Sequence, residues 1–565
     1  MDDSGHPVVI TGGSLSVEEI VRVARRGAKV EIAPEVKLRL DRMRAWMEKY
    51  VKESLYSPPG ETEKELRRRM IYGVTTGFGT LKDRRLHDMD AAHKLQENLI
   101  VSHCTGTGPA FSDEVVRAVM LVRANTLAAG RSGVRYELLS RLVEMLNSGA
   151  LPVVPEQGSV GASGDLAPMA HLALSLIGKG PVRYRGKEYA NLAELNTSTT
   201  GGIPVSVGDA FELKCKEGLA LLNGTSVMAA QAALALHDAR RLLDWADAAG
   251  AVTMESLLGA TRAFDEIVFS VYKHRGAAIS AGHVRRMTAG SELVNRSAQV
   301  HDPYSVRCIP QVHGAARDAI AYAGETIETH LGAITDDPIF FTADEVEKSP
   351  PADGWSKRLH FEEGHFHGEP LAMALDMLAI AIAEIASISE RRIQTLLDPN
   401  HSRGLPGCLI DNPVGINSGY MLAQYTAASL VSENKTLAHP ACVDSIPTSA
   451  NAEDHVSMGA WAARKARRVV ENARNVLAIE LLCATEALSF RTGRQEVTAG
   501  VAAGRKKLDA TGAPGAGTQW VYDLVRIDHA IPHLDGADRN LKPLIDTAAE
   551  IIGASDLSEF FGVPG

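Results

Sequence analysis

Apolar residues recur three and four positions apart along most of this chain, which is the spacing that gathers side chains on one face of an α-helix. The pattern is sustained in residues 113–148, 209–249, 311–333, 369–397, 419–438 and 456–487. Strong helix formers dominate these stretches, and their apolar positions spread around much of the helix circumference. Such helices are buried on most sides, so the sequence predicts a mainly α fold with a long central helical bundle.

Strand-like alternation of apolar and polar residues is short and rare, and it predicts small hairpins rather than a large sheet. It occurs in residues 8–10, 29–32 and 182–189. Connections rich in Gly, Pro, Ser and Asn are frequent before the bundle, and loops of this kind often carry the chemistry of a helical scaffold. We therefore predict a smaller, loop-rich N-terminal region over residues 1–208, the central helical bundle over 209–490 and a C-terminal tail over 491–565.

The charge balance argues against nucleic acid and membrane partners. The chain has 69 acidic and 59 basic residues, a formal net charge of −10, and no basic stripe of the kind that binds nucleic acid. Its first residues are acidic and polar, unlike a secretory signal. The most apolar stretch, 371–388, carries Asp376 and Glu384, which are expensive in lipid. We expect a protein that binds neither nucleic acid nor a membrane.

The six cysteines are far apart and form no CxxC pair. They are Cys104, Cys215, Cys308, Cys408, Cys442 and Cys483. This spacing suggests neither a disulfide framework nor a zinc ribbon, so we expect a cytoplasmic protein in a reducing compartment.

Common catalytic signatures are missing from the sequence. It contains no GxxxxGK[ST], HExxH or GxSxG motif, which disfavours ATP-driven and serine-hydrolase chemistry. One segment does hold ligand types for a divalent metal, namely His360, Glu362, Glu363, His365, His367 and Glu369. A polar loop or the wall of a metal-free active site explains the same residues, so a metal-dependent hydrolase is one alternative for this chain.

The segment 158–171 is the most informative part of the sequence. It contains Ala162, Ser163, Gly164 and Asp165 among closely spaced small residues. An ordinary glycine-rich turn with Asp165 at the start of a helix would explain a shorter match. The whole segment, however, resembles the cofactor-forming sequence of the aromatic amino-acid ammonia-lyases and aminomutases, and further matches extend from about residue 8 to residue 490.

The resemblance implies that Ala162, Ser163 and Gly164 form a 4-methylidene-imidazol-5-one (MIO) cofactor. In this family the glycine nitrogen attacks the alanine carbonyl, and loss of two waters leaves an electrophilic ring. Serine supplies the carbon of the exocyclic methylene, and glycine permits the tight backbone contact because it has no Cβ. The resemblance implies no metal.

The segment 72–79 resembles the catalytic tyrosine loop of this family, which makes Tyr72 the base that removes the β-proton of the substrate. A tyrosine has a pKa near 10 and is mostly protonated at neutral pH. The role therefore requires a site that lowers the pKa of Tyr72 or couples its deprotonation to substrate binding. Taken alone, Tyr72 is better explained as a structural residue before a glycine-rich turn.

Five other positions match residues that surround the substrate in this family. His103 occupies the position that selects the substrate ring. Asn223 occupies that of an asparagine that holds the substrate near the electrophile and, with the arginine, fixes its carboxylate. Tyr304 and Arg307 match a site tyrosine and the arginine that binds the substrate carboxylate, for which the planar guanidinium is well suited. Phe366 matches an aromatic residue near the electrophile. Capping, core packing and surface ion pairs are the ordinary alternatives.

Glu453 bears on the choice of substrate. The histidine-specific branch of the family similarly has glutamate here, whereas members specific for phenylalanine or tyrosine usually have glutamine. A carboxylate can accept a hydrogen bond from imidazole but would lack a partner beside a phenyl ring. The ordinary alternative is an acidic residue favoured by the dipole at a helix N-terminus.

Three residues depart from the family pattern. His301 stands where glutamine is common, and His365 and Asp337 stand where asparagine is usual. If these residues line the same site, their titratable groups would change its shape or its response to pH.

Together, the resemblance implies a homotetramer whose active sites combine loops from three subunits and which converts L-histidine to urocanate and ammonia. The alternatives within the family are a phenylalanine, tyrosine or substituted aryl-alanine ammonia-lyase and a 2,3-aminomutase. Outside it, the alternatives are the metal-dependent hydrolase and an inactive helical scaffold.

Overall fold

The computed structural model describes residues 6–56, 60, 62–199, 210–349, 351–352, 358–411, 415–495 and 511–561. Helices make up most of this part of the chain, which confirms the predicted mainly α fold. The predicted boundary at residue 208 and residues 496–510 of the predicted tail lie outside the described residues.

Ten α-helices lie before residue 260 in the described part of the chain. They are α1 Val17–Arg25, α2 Pro34–Leu55, α3 Glu63–Arg69, α4 Met89–His103, α5 Asp113–Ala128, α6 Tyr136–Ser148, α7 Leu166–Leu176, α8 Leu192–Ser198, α9 Glu217–Leu222 and α10 Ser226–Ser256. The stretch predicted as one helix over 113–148 is two helices. Gly130 and Gly133, both with positive φ, lie in the break between them.

The later helices include four more of the predicted long elements, close to their predicted bounds. They are α11 Glu266–Val271, α12 Arg275–Met287, α13 Tyr304–Arg307, α14 Ile309–Leu331, α15 Ala343–Lys348, α16 Glu369–Leu397, α17 Met421–Leu437, α18 Gly459–Arg491, α19 Ala516–Asp523, α20 Lys542–Ala554 and α21 Ser558–Phe561. The last three show that the described part of the predicted tail contains helices.

The strands are short, as the sequence predicts. They are β1 Val8–Ile10, β2 Val30–Ile32, β3 Thr107–Ala110, β4 Leu151–Pro152, β5 Pro155–Gln157, β6 Val182–Tyr184, β7 Lys187–Tyr189, β8 Ile339–Phe340 and β9 His360–Phe361. β1 pairs with β2 in parallel, and the antiparallel sets are β3–β5, β4–β6–β7 and β8–β9. None of these sheets has more than three strands.

The chain divides into two compact units that each combine distant segments. The first unit contains Met1–Leu234, Glu325–Leu375 and Pro440–Arg464, and the second contains Ala235–Gly324, Asp376–His439 and Lys465–Gly565. The division of the sequence at residues 208 and 490 stays a prediction about the order of regions along the chain.

An apolar cluster in the first unit fixes the loop that carries Tyr72. Ile71 and Val74, on either side of it, are fully buried with Met47 and Phe340. Burying side chains of this size stabilises a fold by about 1.5–3 kcal/mol each. The backbone on both sides of Tyr72 is therefore held in place by this apolar cluster.

Buried charges connect the helices of the second unit. Arg392 of α16 donates to both carboxylate oxygens of Glu480 of α18, at 2.5 and 2.8 Å, and both side chains are fully buried. Thr253 of α10 donates to the same carboxylate at 2.8 Å. Removing one partner of such a pair typically costs about 3–5 kcal/mol because the other charge stays buried. This network fixes the relative positions of three helices within the unit.

In the described part of the chain, α16 is the one helix long and apolar enough to cross a membrane. However, 67% of its apolar window is buried inside the protein, and Asp376 on this helix forms an ion pair of 2.7 Å with Lys465. A helix in the core of a protein has these same properties. All six cysteines are free thiols.

Candidate active site

The turn that contains Ser163 lies between β5 and α7 in the first unit and is built on glycine geometry. Gly161 and Gly164 have φ values of 72° and 78°, a region that favours glycine. A Cβ on Gly164 would lie 2.0 Å from the carbonyl oxygen of Gly224. Glycine is therefore required at residue 164 by the close approach of a second backbone segment.

The residues present fit the formation of an MIO ring. Within the described residues, the N–H of Gly164 and the carbonyl oxygen of Ala162 have no hydrogen-bond partner. The neighbouring carbonyls are held: Ser163 accepts from the N–H of Gly224 at 3.2 Å, and Gly164 accepts from the hydroxyl of Ser159 at 3.1 Å. The Gly164 nitrogen and the Ala162 carbonyl, which ring closure would join, are thus free of other hydrogen bonds within the described residues. The backbone around them is fixed by the two neighbouring hydrogen bonds.

Asp165 attaches this turn to the start of α10. The sequence places Asp165 at the beginning of α7, but its side chain does not cap that helix. Its Oδ2 instead accepts from the N–H groups of Val227 and Met228, both at 2.9 Å. Burial raises the pKa of Asp165 to about 7. The first turn of α10 thereby helps to hold the Ser163 turn in place.

Seven of the predicted site residues line one cavity of about 590 Å³ in the first unit. They are Tyr72, His103, Ala162, Ser163, Asn223, Phe366 and Glu453. They come from loops and helix ends distributed between residues 72 and 453 of the chain. A cavity of this size can enclose an amino acid with an aromatic side chain.

Glu453 contacts Ser163 directly. The hydroxyl of Ser163 donates to Oε1 of Glu453 at 3.0 Å, and the hydroxyl of Thr448 donates to Oε2 at 2.6 Å. The backbones of Thr448 and Glu453 also exchange hydrogen bonds, at 3.0 and 3.3 Å. Each carboxylate oxygen therefore has its own donor, and the side chain has a defined orientation.

The turn between these two residues is left-handed. Ser449, Ala450 and Asn451 have φ values of 51°, 51° and 70°, a conformation that costs non-glycine residues roughly 1–2 kcal/mol each. Ser449 packs so closely against Gly79 that a Cβ on Gly79 would lie 2.7 Å from its Oγ. Strain of this kind persists only when the surrounding structure imposes it.

Gly79, against which Ser449 packs, also contacts Tyr72. Its N–H donates to the Tyr72 hydroxyl at 3.1 Å. Burial raises the pKa of Tyr72, and the negative charges of Asp337 and Glu453 raise it further, against a smaller lowering by the Gly79 N–H. Within the described residues of the first unit, the pKa of Tyr72 is therefore raised rather than lowered.

Asn223 lines this cavity and has one polar side-chain atom without a hydrogen-bond partner among the described residues. Its Nδ2 donates to the carbonyl oxygen of Asp337 at 3.0 Å, while its Oδ1 is buried and has no partner among the described residues. Lys216, fully buried, donates to the same carbonyl at 3.1 Å and forms an ion pair of 2.7 Å with Asp336. The Asp337 carbonyl therefore fixes the orientation of the Asn223 amide, and Lys216 holds that carbonyl in place.

Two acidic residues, Asp337 and Glu363, lie beside Asn223. Of these two, only Asp337 is predicted from the sequence to line the substrate site. The N–H of Glu363 donates to Oδ1 of Asp337 at 2.9 Å. Burial raises the pKa of both carboxyl groups to about 7. Glu363 was considered only as a possible metal ligand, although its position beside Phe366 in the sequence was a signal that it lines the same cavity.

His103 is buried enough that its imidazole is disfavoured as a cation. Burial lowers its pKa, against a smaller raising by the carbonyl of Leu99. Its Nδ1 lies 3.0 Å from the hydroxyl of Ser102. His103 therefore presents a neutral ring to the cavity near pH 7.

Three further predicted site residues line a second cavity, of about 640 Å³, in the second unit. These are His301, Tyr304 and Arg307, and the structure does not place them on the cavity that contains Ser163. Tyr304 is 72% exposed, and Arg307 is exposed with no ion pair among the described residues. An unpaired guanidinium in a cavity is available for a carboxylate.

Buried Asp302 anchors the segment that carries these residues. Its Oδ2 accepts from the N–H of Ala260 at 2.8 Å, and its Oδ1 accepts from Arg403 at 2.6 Å. The short helix α13 begins two residues later and carries Tyr304 and Arg307. Asp302 therefore fixes the position of the backbone from which the Tyr304 and Arg307 side chains extend.

The histidines proposed as metal ligands have separate partners. His360 contacts the hydroxyl of Tyr50 at 2.9 Å, and His367 contacts the carbonyl of His455 at 3.2 Å. His365 is exposed. Across the described ranges, no three His, Cys, Asp or Glu side chains are grouped so that they could hold a metal ion.

The family model described as aromatic amino acid lyase matches residues 15–510. A histidine ammonia-lyase from Caldanaerobacter subterraneus subsp. tengcongensis is 44% identical over 554 residues, which cover 98% of this chain and 97% of that protein.

Solved structures agree with this match. Histidine ammonia-lyase from Trypanosoma cruzi is 33% identical, with a TM-score of 0.81 and coverage of 99% of this chain and 96% of the other. Tyrosine aminomutase from Streptomyces globisporus is 32% identical, with a TM-score of 0.82 and coverage of 97% and 96%. These matches confirm the predicted family and enzyme class, a carbon–nitrogen lyase. The chain belongs to the aromatic amino acid lyase family.

Proposed function

We propose that this enzyme eliminates ammonia from L-histidine to give urocanate. The observation that carries the proposal is the Glu453 carboxylate, which lies 3.0 Å from Ser163 in the cavity that Tyr72 also lines. Once ring formation has removed the Ser163 hydroxyl, Oε1 of this carboxylate would match an imidazole N–H, whereas beside a phenyl ring it would have no donor. The names of the relatives support the same substrate.

Ala162, Ser163 and Gly164 are proposed to form the MIO cofactor, since their geometry fits ring closure. The ring supplies an electrophilic carbon that makes the substrate amino group a better leaving group. The surrounding chain fixes its orientation, because Asp165 and Gly224 hold the turn on both sides of Gly164.

Tyr72 is proposed as the base for the β-proton. Its phenolate oxygen takes the proton from Cβ, the electron pair of that C–H bond forms the Cα=Cβ double bond, and the amino nitrogen leaves with the pair of the Cα–N bond. The raised pKa of Tyr72 means that the phenolate is scarce in the free enzyme. A cationic substrate group next to the hydroxyl would offset the negative charges that raise it.

Asn223 and Glu453 are proposed to place the two ends of the substrate within this cavity. The free atom of Asn223 is an acceptor, so it matches the amino group of the substrate. Glu453 accepts from the imidazole, and His103 and Phe366 contact the ring. Holding base, electrophile and substrate together can lower the barrier by about 7–11 kcal/mol.

Arg307, Tyr304 and His301 are proposed to complete the site from other subunits of a homotetramer, with Arg307 binding the carboxylate. This explains how residues of two different cavities serve one reaction. Co-expression of Tyr72→Phe and Arg307→Ala chains tests it. We expect mixed tetramers to regain part of the activity that each single variant lacks, whereas inactivity of every mixture would contradict shared sites.

A substrate panel tests the reaction itself. We expect freshly purified enzyme to form urocanate from L-histidine, followed by absorbance, and to act poorly on phenylalanine and tyrosine. Peptide mapping across residues 158–168 should show the loss of two water molecules. Turnover of benzenoid amino acids alone would remove the histidine assignment, and an unmodified segment in active enzyme would remove the MIO mechanism.

The second candidate is a 2,3-aminomutase or an ammonia-lyase acting on phenylalanine, tyrosine or a related aryl-alanine. The similarity to tyrosine aminomutase, at a TM-score of 0.82, favours its inclusion. Chromatography of the products separates the two outcomes, because a mutase yields a β-amino acid and a lyase yields free ammonia. The free cysteines support a proposed cytoplasmic location.

A further inference from the structure

We infer that Thr448 is a positioning residue that sets the substrate specificity of this cavity by orienting Glu453. The inference deepens the proposed histidine activity and rests on it. Thr448 does not line the cavity, whereas Glu453 does, so the Thr448 hydroxyl acts on the substrate through the Glu453 carboxylate that it contacts.

The contacts of Glu453 divide between two donors. Ser163 donates to Oε1 at 3.0 Å and Thr448 donates to Oε2 at 2.6 Å. The Thr448 contact is supported by two backbone hydrogen bonds between the same residues. Of the two donors, Thr448 therefore has the shorter contact, and only its contact is supported by the backbone.

Formation of the cofactor changes this balance. Ring formation removes the hydroxyl of Ser163 as water, so Oε1 of Glu453 loses its donor. Oε2 keeps the hydrogen bond from Thr448. The carboxylate is then held at one oxygen, with the other free to accept the imidazole N–H of the substrate. Without the Thr448 hydroxyl, no described side chain remains to fix its rotation.

The left-handed turn explains why the Thr448 hydroxyl can reach this position. Ser449, Ala450 and Asn451 reverse the chain so that Thr448 lies opposite Glu453 in an isolated antiparallel bridge. Ser449 also packs against Gly79, which donates to the hydroxyl of Tyr72. The turn thus connects the orientation of Glu453 to the loop that carries the proposed base.

Three variants of the full-length enzyme test the inference. Thr448→Val removes the hydroxyl at nearly constant shape, and Thr448→Ser keeps it. Thr342→Val is the matched control, since Thr342 donates to Glu345 at 2.9 Å, a threonine–glutamate pair of the same chemistry away from the cavity. For each variant, kcat and KM are measured with L-histidine and L-phenylalanine, and residues 158–168 are mapped by mass.

We expect Thr448→Val to form the ring normally and to raise the KM for histidine by about tenfold or more, with a smaller change in kcat. Its kcat/KM ratio of histidine to phenylalanine should fall by a similar factor. Thr448→Ser should restore most of this ratio, and Thr342→Val should leave it unchanged.

Equal parameters for Thr448→Val and the wild type would overturn the inference while leaving the proposed function intact. An unmodified 158–168 segment in Thr448→Val would also overturn it, since Thr448 would then support folding of the turn. Equal losses in Thr448→Ser and Thr448→Val would exclude the hydroxyl as the cause. A wild-type enzyme without histidine turnover would remove the proposed function, and this inference with it.

Discussion

Gly164 passes so close to Gly224 that a Cβ on Gly164 would lie 2.0 Å from the Gly224 carbonyl oxygen. Real structures essentially never show such a contact with backbone, and the positive φ of Gly164 adds strain for any other residue. The proximity fixes the peptide whose nitrogen is proposed to close the ring. The Ser163 turn is therefore sensitive to a single methyl group.

Gly164→Ala is expected to prevent ring formation, because the methyl group would displace the turn from Gly224. Peptide mapping across residues 158–168 should show no loss of water, and activity should fall to background. Gly186→Ala is the matched control, since Gly186 has nearly the same φ, 77°, but nothing within 4 Å of an added Cβ. It should cost only about 1–2 kcal/mol of stability and still form the ring. A normally cyclised Gly164→Ala would contradict the fit.

Glu453→Gln is expected to change the choice of substrate more than the chemistry. The amide keeps the shape but loses the charge that favours imidazole, so kcat/KM for histidine should fall by about 10- to 100-fold. The value for phenylalanine should fall less or rise. Steady-state kinetics with both substrates measures the ratio. A parallel fall for the two substrates would show that Glu453 serves the reaction rather than the recognition of the ring.

The long helices could be predicted from the sequence because their burial repeats with helical period. The 369–397 prediction matches α16 at both ends. The stretch 113–148 was predicted as one helix, although the Gly130-Arg131-Ser132-Gly133 sequence was a signal for the break that the structure shows.

The environment of the site was less predictable. Resemblance identified the residues around Ser163, but the Thr448 contact depends on three non-glycine residues in a left-handed conformation that no local pattern indicates. The raised pKa of Tyr72 likewise results from burial and from Asp337 and Glu453, which are distant in sequence. That Arg307 lines a different cavity from Ser163 is likewise not encoded in the spacing of residues along the chain.

Asp337→Asn is expected to stabilise the protein above neutral pH. Burial raises the pKa of Asp337 from 3.8 to about 7, so the folded state binds a proton that the unfolded state releases. The stability due to this proton is complete below about pH 4 and is lost as the pH rises to 7. The variant should be more stable by on the order of 2 kcal/mol at pH 8 and nearly unchanged at pH 4.

Chemical denaturation at these two pH values measures this difference. Asp344→Asn is a suitable control, because Asp344 is exposed on the surface of α15. The free energy of unfolding of this variant, relative to the wild type, should be about the same at the two pH values. Destabilisation by Asp337→Asn at pH 8 would show that the Asp337 charge is compensated in the assembled enzyme.

Arg307→Lys is expected to raise the KM for histidine by about 10- to 100-fold, because lysine keeps the charge but cannot pair bidentately with a carboxylate. The kcat should change less if Arg307 only binds the substrate. Arg275→Lys, at the exposed start of α12, is the control and should leave both parameters unchanged. Binding of urocanate, which retains the carboxylate, should weaken in parallel in Arg307→Lys. An unchanged KM would remove Arg307 from the proposed site.

The raised pKa of Tyr72 predicts how the rate depends on pH. If the phenolate is the base, kcat/KM should rise about tenfold per pH unit below the pKa of Tyr72 in the free enzyme. Asp337 contributes negative charge that raises this pKa, so Asp337→Asn should shift the rising limb to lower pH. Tyr72→Phe should lower kcat by about 100-fold or more at every pH and abolish the limb. A rising limb that persists in Tyr72→Phe would assign the base to another group, and a limb that Asp337→Asn does not move would show that the Asp337 charge does not reach the Tyr72 hydroxyl in the working enzyme.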